Sequence, residues 1–296
     1  MDRSRAASFG WIVIAYAVGG AVAWLAASQL GGAEAWRAML VGDVAATLAV
    51  FAFSVALDNA SVYDPYWSIA PMVVAPWLAL DGGGPLARRA LVTMLVLAWG
   101  ARLTWNWARG WRGLGHEDWR YVDIRGKTGR LYWPVSLLGV HLMPTLLVYL
   151  GVLALVPALV RTAPLGPLDA VAAIVTLGAI VLEATADAQL RAFRRGAPAG
   201  GEILARGLWA WSRHPNYLGE IGFWWGLGLF ALAADPGAWS ALSGAAAITL
   251  LFVFVSVPLI DRRSLVRRPT YAAHMRQVPG LVPRPWRGRS AQGKRS

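Results

Sequence analysis

Apolar residues along this chain are grouped into eight runs that are separated by short polar segments. Each run is close to the roughly 20 residues that an α-helix needs to cross the hydrocarbon core of a bilayer. The pattern therefore predicts an all-α polytopic membrane protein, a bundle of about seven or eight transmembrane helices. The third run is the weakest, because it is short and is interrupted by Pro71 and Pro76. The runs cover roughly residues 9–30, 37–57, 62–80, 86–106, 132–159, 168–190, 217–234 and 239–260.

Lysine and arginine are distributed unevenly between the two ends of these runs. With eight crossings and the N-terminus inside, 24 of the 28 Lys and Arg residues fall on one side of the membrane. Only Arg37, Arg88, Arg89 and Arg161 fall on the other side. Because cytoplasmic loops carry such an excess of positive charge, we expect both termini to lie on the cytoplasmic side.

Composition excludes several other classes of protein. The net charge of +12 would by itself suit a nucleic-acid-binding protein. The arginines lie between apolar runs, however, where they suit the anionic headgroups of a lipid bilayer, so no nucleic-acid partner is predicted. There is no cysteine, and the four histidines lack metal-ligand spacing, so neither disulfides nor a metal site is predicted. We predict one transmembrane helical domain over 1–286 and a disordered basic tail over 287–296.

The sixth run ends in a polar stripe. Glu183, Asp187 and Arg191 are spaced i, i+4 and i+8, so a helix places them on one face, and Arg194 stays near that face. Carboxylates at the end of a membrane helix are costly and usually face a partner or a cavity. Two interpretations stay open: a structural pair between Asp187 and Arg191, or a polar pocket that opens to the basic side.

A second polar motif, WSRHPNYLGE at 211–220, precedes the seventh run. His214 is biased towards an extended conformation by the following proline, and Pro215 suits the first position of a helix, so a helix should begin there. The free amides of such a helix start attract anions such as phosphate. The alternative is a capped helix with interfacial anchors. We favour an anion site made by these amides with Arg213 and His214 beside them. Asn216, Tyr217 and Glu220 lie on the same helix start and are candidate residues of this site.

Two further segments contribute candidate residues. Arg263 and Arg267 follow the eighth run and bring more positive charge to the same side of the membrane. Three arginine-rich clusters at the ends of the last three helices suggest one site for a large anion with several phosphates, such as a dinucleotide. Tyr63 and Asp64 lie at the edge of the third run. They are either interface residues or catalytic groups that polarise a substrate carbonyl.

The motif LWAWSRHPNYLGE at 208–220 resembles the signature of membrane steroid 5-alpha-reductase-like proteins, and most closely that of their bacterial branch. Other stretches are similar to the same family, and together they cover most of the chain from about residue 60 onward. A bacterial inner membrane is therefore the expected location. The stretches are DPYW (64–67), GHEDWRY (115–121), LEATADAQLRAF (182–193), VPLID (257–261) and RRPTY (267–271).

The resemblance implies a helical membrane reductase that binds NADPH on the cytoplasmic side. It implies hydride transfer to a conjugated carbon–carbon double bond of a lipidic or steroid-like substrate within the membrane. Family positions around the cofactor match Asn216, Glu220, Asp187, Arg191 and Arg194, with Arg213, His214 and Tyr217 in the same string. Glu183, Arg263 and Arg267 complete the predicted cofactor-binding set.

The chain departs from the family pattern on the substrate side. The steroid enzymes use a glutamate in an early span and a tyrosine, whereas spans two to four here offer only Asp43, Asp58 and Asp64. A rival interpretation is an S-adenosylmethionine-dependent methyltransferase of the isoprenylcysteine or phospholipid type, in which R-H-P-x-Y-x-G recurs. Those enzymes carry paired glutamates after the last span, where this chain has Asp261 followed by Arg262. A non-enzymatic lipid-binding membrane protein is the third possibility.

Overall fold

Helices are the only regular secondary structure in the described part of the chain, which covers residues 4–30, 34–196 and 201–283 of a computed structural model. A chain that crosses lipid must satisfy its backbone hydrogen bonds within the chain, which helices do. The helices are α1 (Arg5–Ser28), α2 (Ala35–Ala56), α3 (Tyr66–Asp81), α4 (Leu86–Gly110), α5 (the helical run Trp119–Val160), α6 (Pro167–Arg195), α7 (Pro215–Ala234), α8 (Trp239–Arg267) and α9 (Tyr271–Gln277).

Six of these helices, α1, α2 and α5 to α8, are long and apolar enough to cross a membrane. The predicted all-α polytopic membrane fold is therefore confirmed, and a helix lies at each of the eight predicted runs. Of the eight helices at the predicted runs, α3 and α4 differ from ordinary spans. The 16 residues of α3 reach only about 24 Å, which is less than the hydrocarbon core of a typical bilayer. The helix α4 carries four arginines.

The polar segment 113–130, between the fourth and fifth apolar runs, contains the beginning of α5. Asp118 caps this helix, because its carboxylate accepts a hydrogen bond from the amide of Arg120 at 2.9 Å. Further along α5, residues Leu137–Leu142 form a π-helical segment. The apolar pattern alone does not reveal the first part of α5, because its residues are mostly charged or polar.

The chain divides into two compact units, which are described separately. The first contains residues 1–174 and 225–247, and the second contains residues 175–224 and 248–296. One transmembrane domain over 1–286 stays a prediction. The predicted tail at 287–296 lies outside the described residues, as do residues 284–286.

The first unit contains a buried ion pair between the starts of α4 and α6. Arg88 is fully buried, and its Nε and Nη2 atoms donate to the two carboxylate oxygens of Asp169 at 2.6 and 2.8 Å. The same guanidinium donates to the carbonyl oxygens of Ala163 and Pro164. Because these bonds use four of the five N–H groups of the guanidinium, a buried charge is tolerated here.

The second unit depends on a close approach of α6 and α7. A Cβ atom added at Gly219 would lie 2.6 Å from the Glu183 Cβ and 2.8 Å from the Ala179 carbonyl oxygen. Only glycine therefore fits at this position, where α7 passes over α6. The segment before α7 is also tied to α6, since the indole of Trp209 donates to the carbonyl oxygen of Ala186 at 3.0 Å.

Candidate cofactor and substrate sites

The start of α7 is held in place by the C-terminal segment of the chain. The amides of Arg213 and His214 donate to the carbonyl oxygens of Pro279 and Gly280 at 2.9 and 3.1 Å. These bonds hold the two residues outside the helix, and α7 begins at Pro215. The predicted helix start is therefore confirmed.

Asp261 on α8 connects this segment to the rest of the second unit. It is only 5% exposed, and its carboxylate accepts hydrogen bonds from Arg213 at 2.7 Å, His214 at 3.0 Å and Tyr271 at 2.7 Å. Arg213 also donates to the carbonyl oxygen of Val278. Arg213 and His214, which are predicted to bind a cofactor, thus spend most of their hydrogen-bonding capacity on the protein itself.

The side chains of the C-terminal helix α9 next to this cluster have perturbed acidities. Burial and the neighbouring Asp261 carboxylate raise the pKa of the Tyr271 hydroxyl above its ordinary value. Burial, with the Arg213 charge in addition, lowers the pKa of His274 below its ordinary value. Both shifts favour the uncharged forms of these two side chains.

A pocket of about 230 Å³ lies beside the cluster in the second unit. Its volume is somewhat below the range typical of pockets that hold a whole small ligand, so it suits part of a larger molecule. None of its described lining residues is acidic, while three are arginines, a donor set that suits phosphate oxygens. The polar lining consists of Arg194, Trp209, Arg213, His214, Asn216, Tyr217, Ser264, Arg268, Tyr271 and His274.

Asn216 links the pocket to the predicted stripe on α6. Its amide nitrogen lies 3.4 Å from a carboxylate oxygen of Asp187. Glu220, one turn further along α7, is 3% exposed and accepts a hydrogen bond from the Trp224 indole at 3.0 Å. Glu183 is buried beside Gly219. The helices α6 and α7 thus bring four of the predicted residues close together in one unit.

The predicted arginines are distributed differently around the pocket. Arg194 lines it, whereas Arg191, Arg263 and Arg267 are not among its lining residues. Arg268, which is not among the predicted site residues, lines it instead. The signal for Arg268 is weak in the sequence, because it is one of four arginines between residues 262 and 268 and only the end of α8 decides which one turns inward.

The predicted catalytic residues lie in the first unit. The Tyr63 hydroxyl is 2.6 Å from Thr145 Oγ1, and its ring stacks on that of Tyr66 at 4.8 Å. Asp64 accepts a hydrogen bond from the Tyr121 hydroxyl at 2.7 Å, and burial raises its pKa to about 6. Both side chains are therefore held by neighbours within the unit, and their catalytic role stays a prediction.

A larger cavity of about 450 Å³ lies in the same unit among α1, α2 and α3. Its volume and mostly apolar lining are typical of sites for small apolar ligands. Asp43, the one carboxylate among the described residues of its wall, accepts a hydrogen bond from the Tyr66 hydroxyl at 2.5 Å. Neither Tyr63 nor Asp64 lines this cavity. Asp43 is the only ionisable side chain in the middle of α2, a signal in the sequence that points to function in membrane helices.

Residues 50–278, most of the chain, match a protein family described as "Protein of unknown function (DUF1295)". The chain belongs to this family. The DUF1295 match begins within α2 and ends directly after α9, so it includes most of the residues described above. A similar protein, the uncharacterized protein C594.04c of Schizosaccharomyces pombe, is 28% identical over 264 residues, covering 78% of this chain and 74% of the relative. No solved structure matches the chain.

Proposed function

We propose that this DUF1295 protein is an NADPH-dependent reductase that reduces a conjugated carbon–carbon double bond of an apolar, lipid-like substrate. The observation that carries the proposal is the pocket beside the start of α7, whose described lining residues include Arg194, Asn216 and Arg268 and no acidic residue. The positive arginine side chains of this pocket suit the negative phosphates of a dinucleotide. The motif at 208–220 resembles that of steroid 5-alpha-reductase-like proteins, and this resemblance suggests that the dinucleotide is NADPH.

On the nucleotide side, Arg194 and Arg268 would contact phosphate oxygens, since guanidinium groups bind phosphate with paired hydrogen bonds. Asn216 and Tyr217 would contact an adjoining part of the molecule. When bound, NADPH would supply the hydride. Arg213 and His214 act in this proposal as positioning residues, because Asp261 already engages both of them.

On the substrate side, the apolar cavity among α1, α2 and α3 would take the hydrocarbon part of the substrate. The Tyr66 hydroxyl, which Asp43 holds in place, would turn to donate its proton to the carbonyl oxygen that is conjugated with the double bond. A donor aimed at an oxygen that gains negative charge stabilises the transition state more than the ground state. Tyr63 and Asp64 do not line this cavity, and their predicted catalytic role stays a separate prediction.

The charge of the pocket also separates the two enzymatic alternatives. S-adenosylmethionine carries a positive sulfonium centre, which arginine side chains repel, whereas NADPH carries several negative phosphates. The pocket lacks an acidic lining residue in the described part of the chain, which favours the nucleotide with phosphates. The methyltransferase remains the second candidate because of the shared R-H-P-x-Y-x-G string.

The proposal is tested with NADPH that carries deuterium at its transferable position and with a long-chain conjugated enone. We expect the purified protein in detergent to oxidise NADPH and to place one deuterium at the β carbon of the enone. Tyr66→Phe should lower this rate at least about a hundredfold, as loss of a catalytic proton donor does. An Arg268→Ala variant should need more NADPH for half-maximal rate. Absence of deuterium transfer across a series of enone chain lengths would refute the proposal.

A further inference from the structure

Three hydroxyl groups are buried together beside the apolar cavity of the first unit. Thr47 on α2 and Thr145 on α5 are fully buried, and Tyr63 is 4% exposed. The Thr145 Oγ1 atom lies 2.7 Å from Thr47 Oγ1 and 2.6 Å from the Tyr63 hydroxyl. Threonine hydroxyls in membrane proteins commonly form hydrogen bonds between helices. None of the three lines the cavity itself.

The direction of the hydrogen bonds in this cluster follows from proton counting. Thr145 Oγ1 lies 2.8 Å from the carbonyl oxygen of His141, one turn earlier on α5, and a carbonyl oxygen only accepts. The single hydroxyl proton of Thr145 is therefore used for that bond. As a result, Thr47 and Tyr63 must both donate to the oxygen of Thr145, which becomes the shared acceptor of the cluster.

This shared acceptor connects the two elements that carry the acid–phenol pair of the cavity. Thr47 lies one helical turn after Asp43 on α2, so the two side chains share one face of this helix. The Tyr63 ring stacks on the Tyr66 ring with centroids 4.8 Å apart and planes 14° apart. Through these two neighbours, Thr145 determines how Asp43 and Tyr66 face each other.

We propose that Thr145 is a positioning residue that gives the cavity its preference for a carbonyl-bearing apolar ligand. The oxygen of Thr145 holds Thr47 and Tyr63, and these hold Asp43 and Tyr66 in the geometry that contacts the carbonyl. The inference rests on the proposed function in one respect, since it takes the Asp43–Tyr66 pair as the carbonyl contact. It does not depend on the nucleotide.

The test compares binding of a tritiated long-chain methyl ketone with binding of an alkane of equal length, on protein in lipid nanodiscs, with empty nanodiscs as the blank. The unaltered protein should prefer the ketone. Thr145→Val, which keeps the side-chain volume and removes the shared acceptor, should lose about threefold to tenfold of that preference while its alkane affinity is unchanged. Thr145→Ser, which keeps the hydroxyl, should restore the preference.

A role in stability alone predicts a different result, namely an equal loss of ketone and alkane binding in Thr145→Val, and that result overturns the inference. Should Thr145→Val not fold, Tyr63→Phe serves in its place, because it removes one donor to Thr145 and keeps the ring that stacks on Tyr66. Full ketone preference in Tyr63→Phe then overturns the inference. Absence of ketone preference in the unaltered protein overturns both the inference and the proposed substrate contact, while NADPH binding, measured separately, still tests the nucleotide half.

Discussion

At the scale of single residues, Asp261 holds together the side chains around the start of α7. Its carboxylate is the common acceptor for a guanidinium, an imidazole and a phenol, all of them largely buried. Without its charge, the buried Arg213 keeps only carbonyl partners at the C-terminal segment. A buried cation that loses its counter-ion destabilises a protein more than most surface changes do.

We therefore expect Asp261→Asn to lower the free energy of unfolding by about 3 kcal/mol, because breaking a buried ion pair has that order of cost. Thermal unfolding in detergent measures the change. Asp123→Asn is the matched control, since Asp123 pairs with Lys127 on an exposed surface and its loss should cost less than about 1 kcal/mol. Equal melting temperatures for the two variants would contradict the role given to Asp261.

Asp64 makes a pH-dependent contribution at the same scale. Burial raises the pKa of its carboxyl from 3.8 to about 6, opposed by Arg120 and by the Tyr121 hydroxyl. Between these two pH values the folded protein binds a proton that the unfolded chain has lost, so stability falls as the pH rises through that window.

The variant Asp64→Asn removes this cost while its amide oxygen still accepts from Tyr121. Its melting temperature relative to the unaltered protein should rise between about pH 4 and pH 7. Melting curves at several pH values, with Asp123→Asn as the control, measure the difference. A difference that stays constant with pH would show that Asp64 is not held in its protonated form.

Some of the candidate site follows from neighbouring residues, and some does not. The His214–Pro215 step predicts the start of α7, and the i, i+4 spacing predicts the stripe on α6, because both depend on local geometry. The sequence does not predict which carboxylate pairs with Arg213, because Asp261 is 48 residues away and the chain has many other arginines that could pair with it. Asp43 and Tyr66 likewise meet only through the packing of α2 and α3.

At the scale of helices, the contact of α6 with α7 determines where Asn216, Asp187 and Glu220 lie. Gly219 permits this contact because a side chain there would collide with the main chain of α6. The hydrophobic pattern predicts both helices but not their separation. Glycine in a helix lowers its intrinsic stability, so its presence at 219 is explained by packing.

Gly219→Ala should therefore cost about 1 to 3 kcal/mol of stability and weaken NADPH binding, because the added methyl group must push α7 away from α6. Gly178→Ala is the matched control on α6, where a Cβ meets no atom within 4 Å and alanine should be neutral or slightly stabilising. Melting curves with and without NADPH measure both effects. A stable Gly219→Ala protein with unchanged NADPH affinity would contradict the packing argument.

At the scale of the whole molecule, the hydrophobic pattern predicts the class of fold well. The all-α membrane fold follows because helices in lipid have few alternatives. The number of membrane crossings is harder to predict, because α3 is short and α4 is rich in arginine. The sequence signal that favours counting both helices as crossings is the distribution of Lys and Arg between the loops on the two sides of the membrane. Orientation in the membrane stays a prediction that rests on the distribution of Lys and Arg.

The absence of cysteine from the sequence allows a direct test of orientation, because each introduced cysteine is unique. Lys127→Cys should react with a membrane-impermeant maleimide only after the cell membrane is opened, and Arg161→Cys should react in intact cells. Both side chains are well exposed, so accessibility does not limit the reaction. The opposite labelling pattern would reverse the predicted orientation.

The central claim, that the second unit binds NADPH, is tested most directly by thermal unfolding with NADPH and S-adenosylmethionine in parallel. A ligand at a hundred times its Kd stabilises the native state by about 2.7 kcal/mol. We predict that NADPH raises the melting temperature, that S-adenosylmethionine does not, and that Arg268→Ala reduces the NADPH effect alone. Stabilisation by S-adenosylmethionine with none by NADPH would contradict the account and favour the methyltransferase.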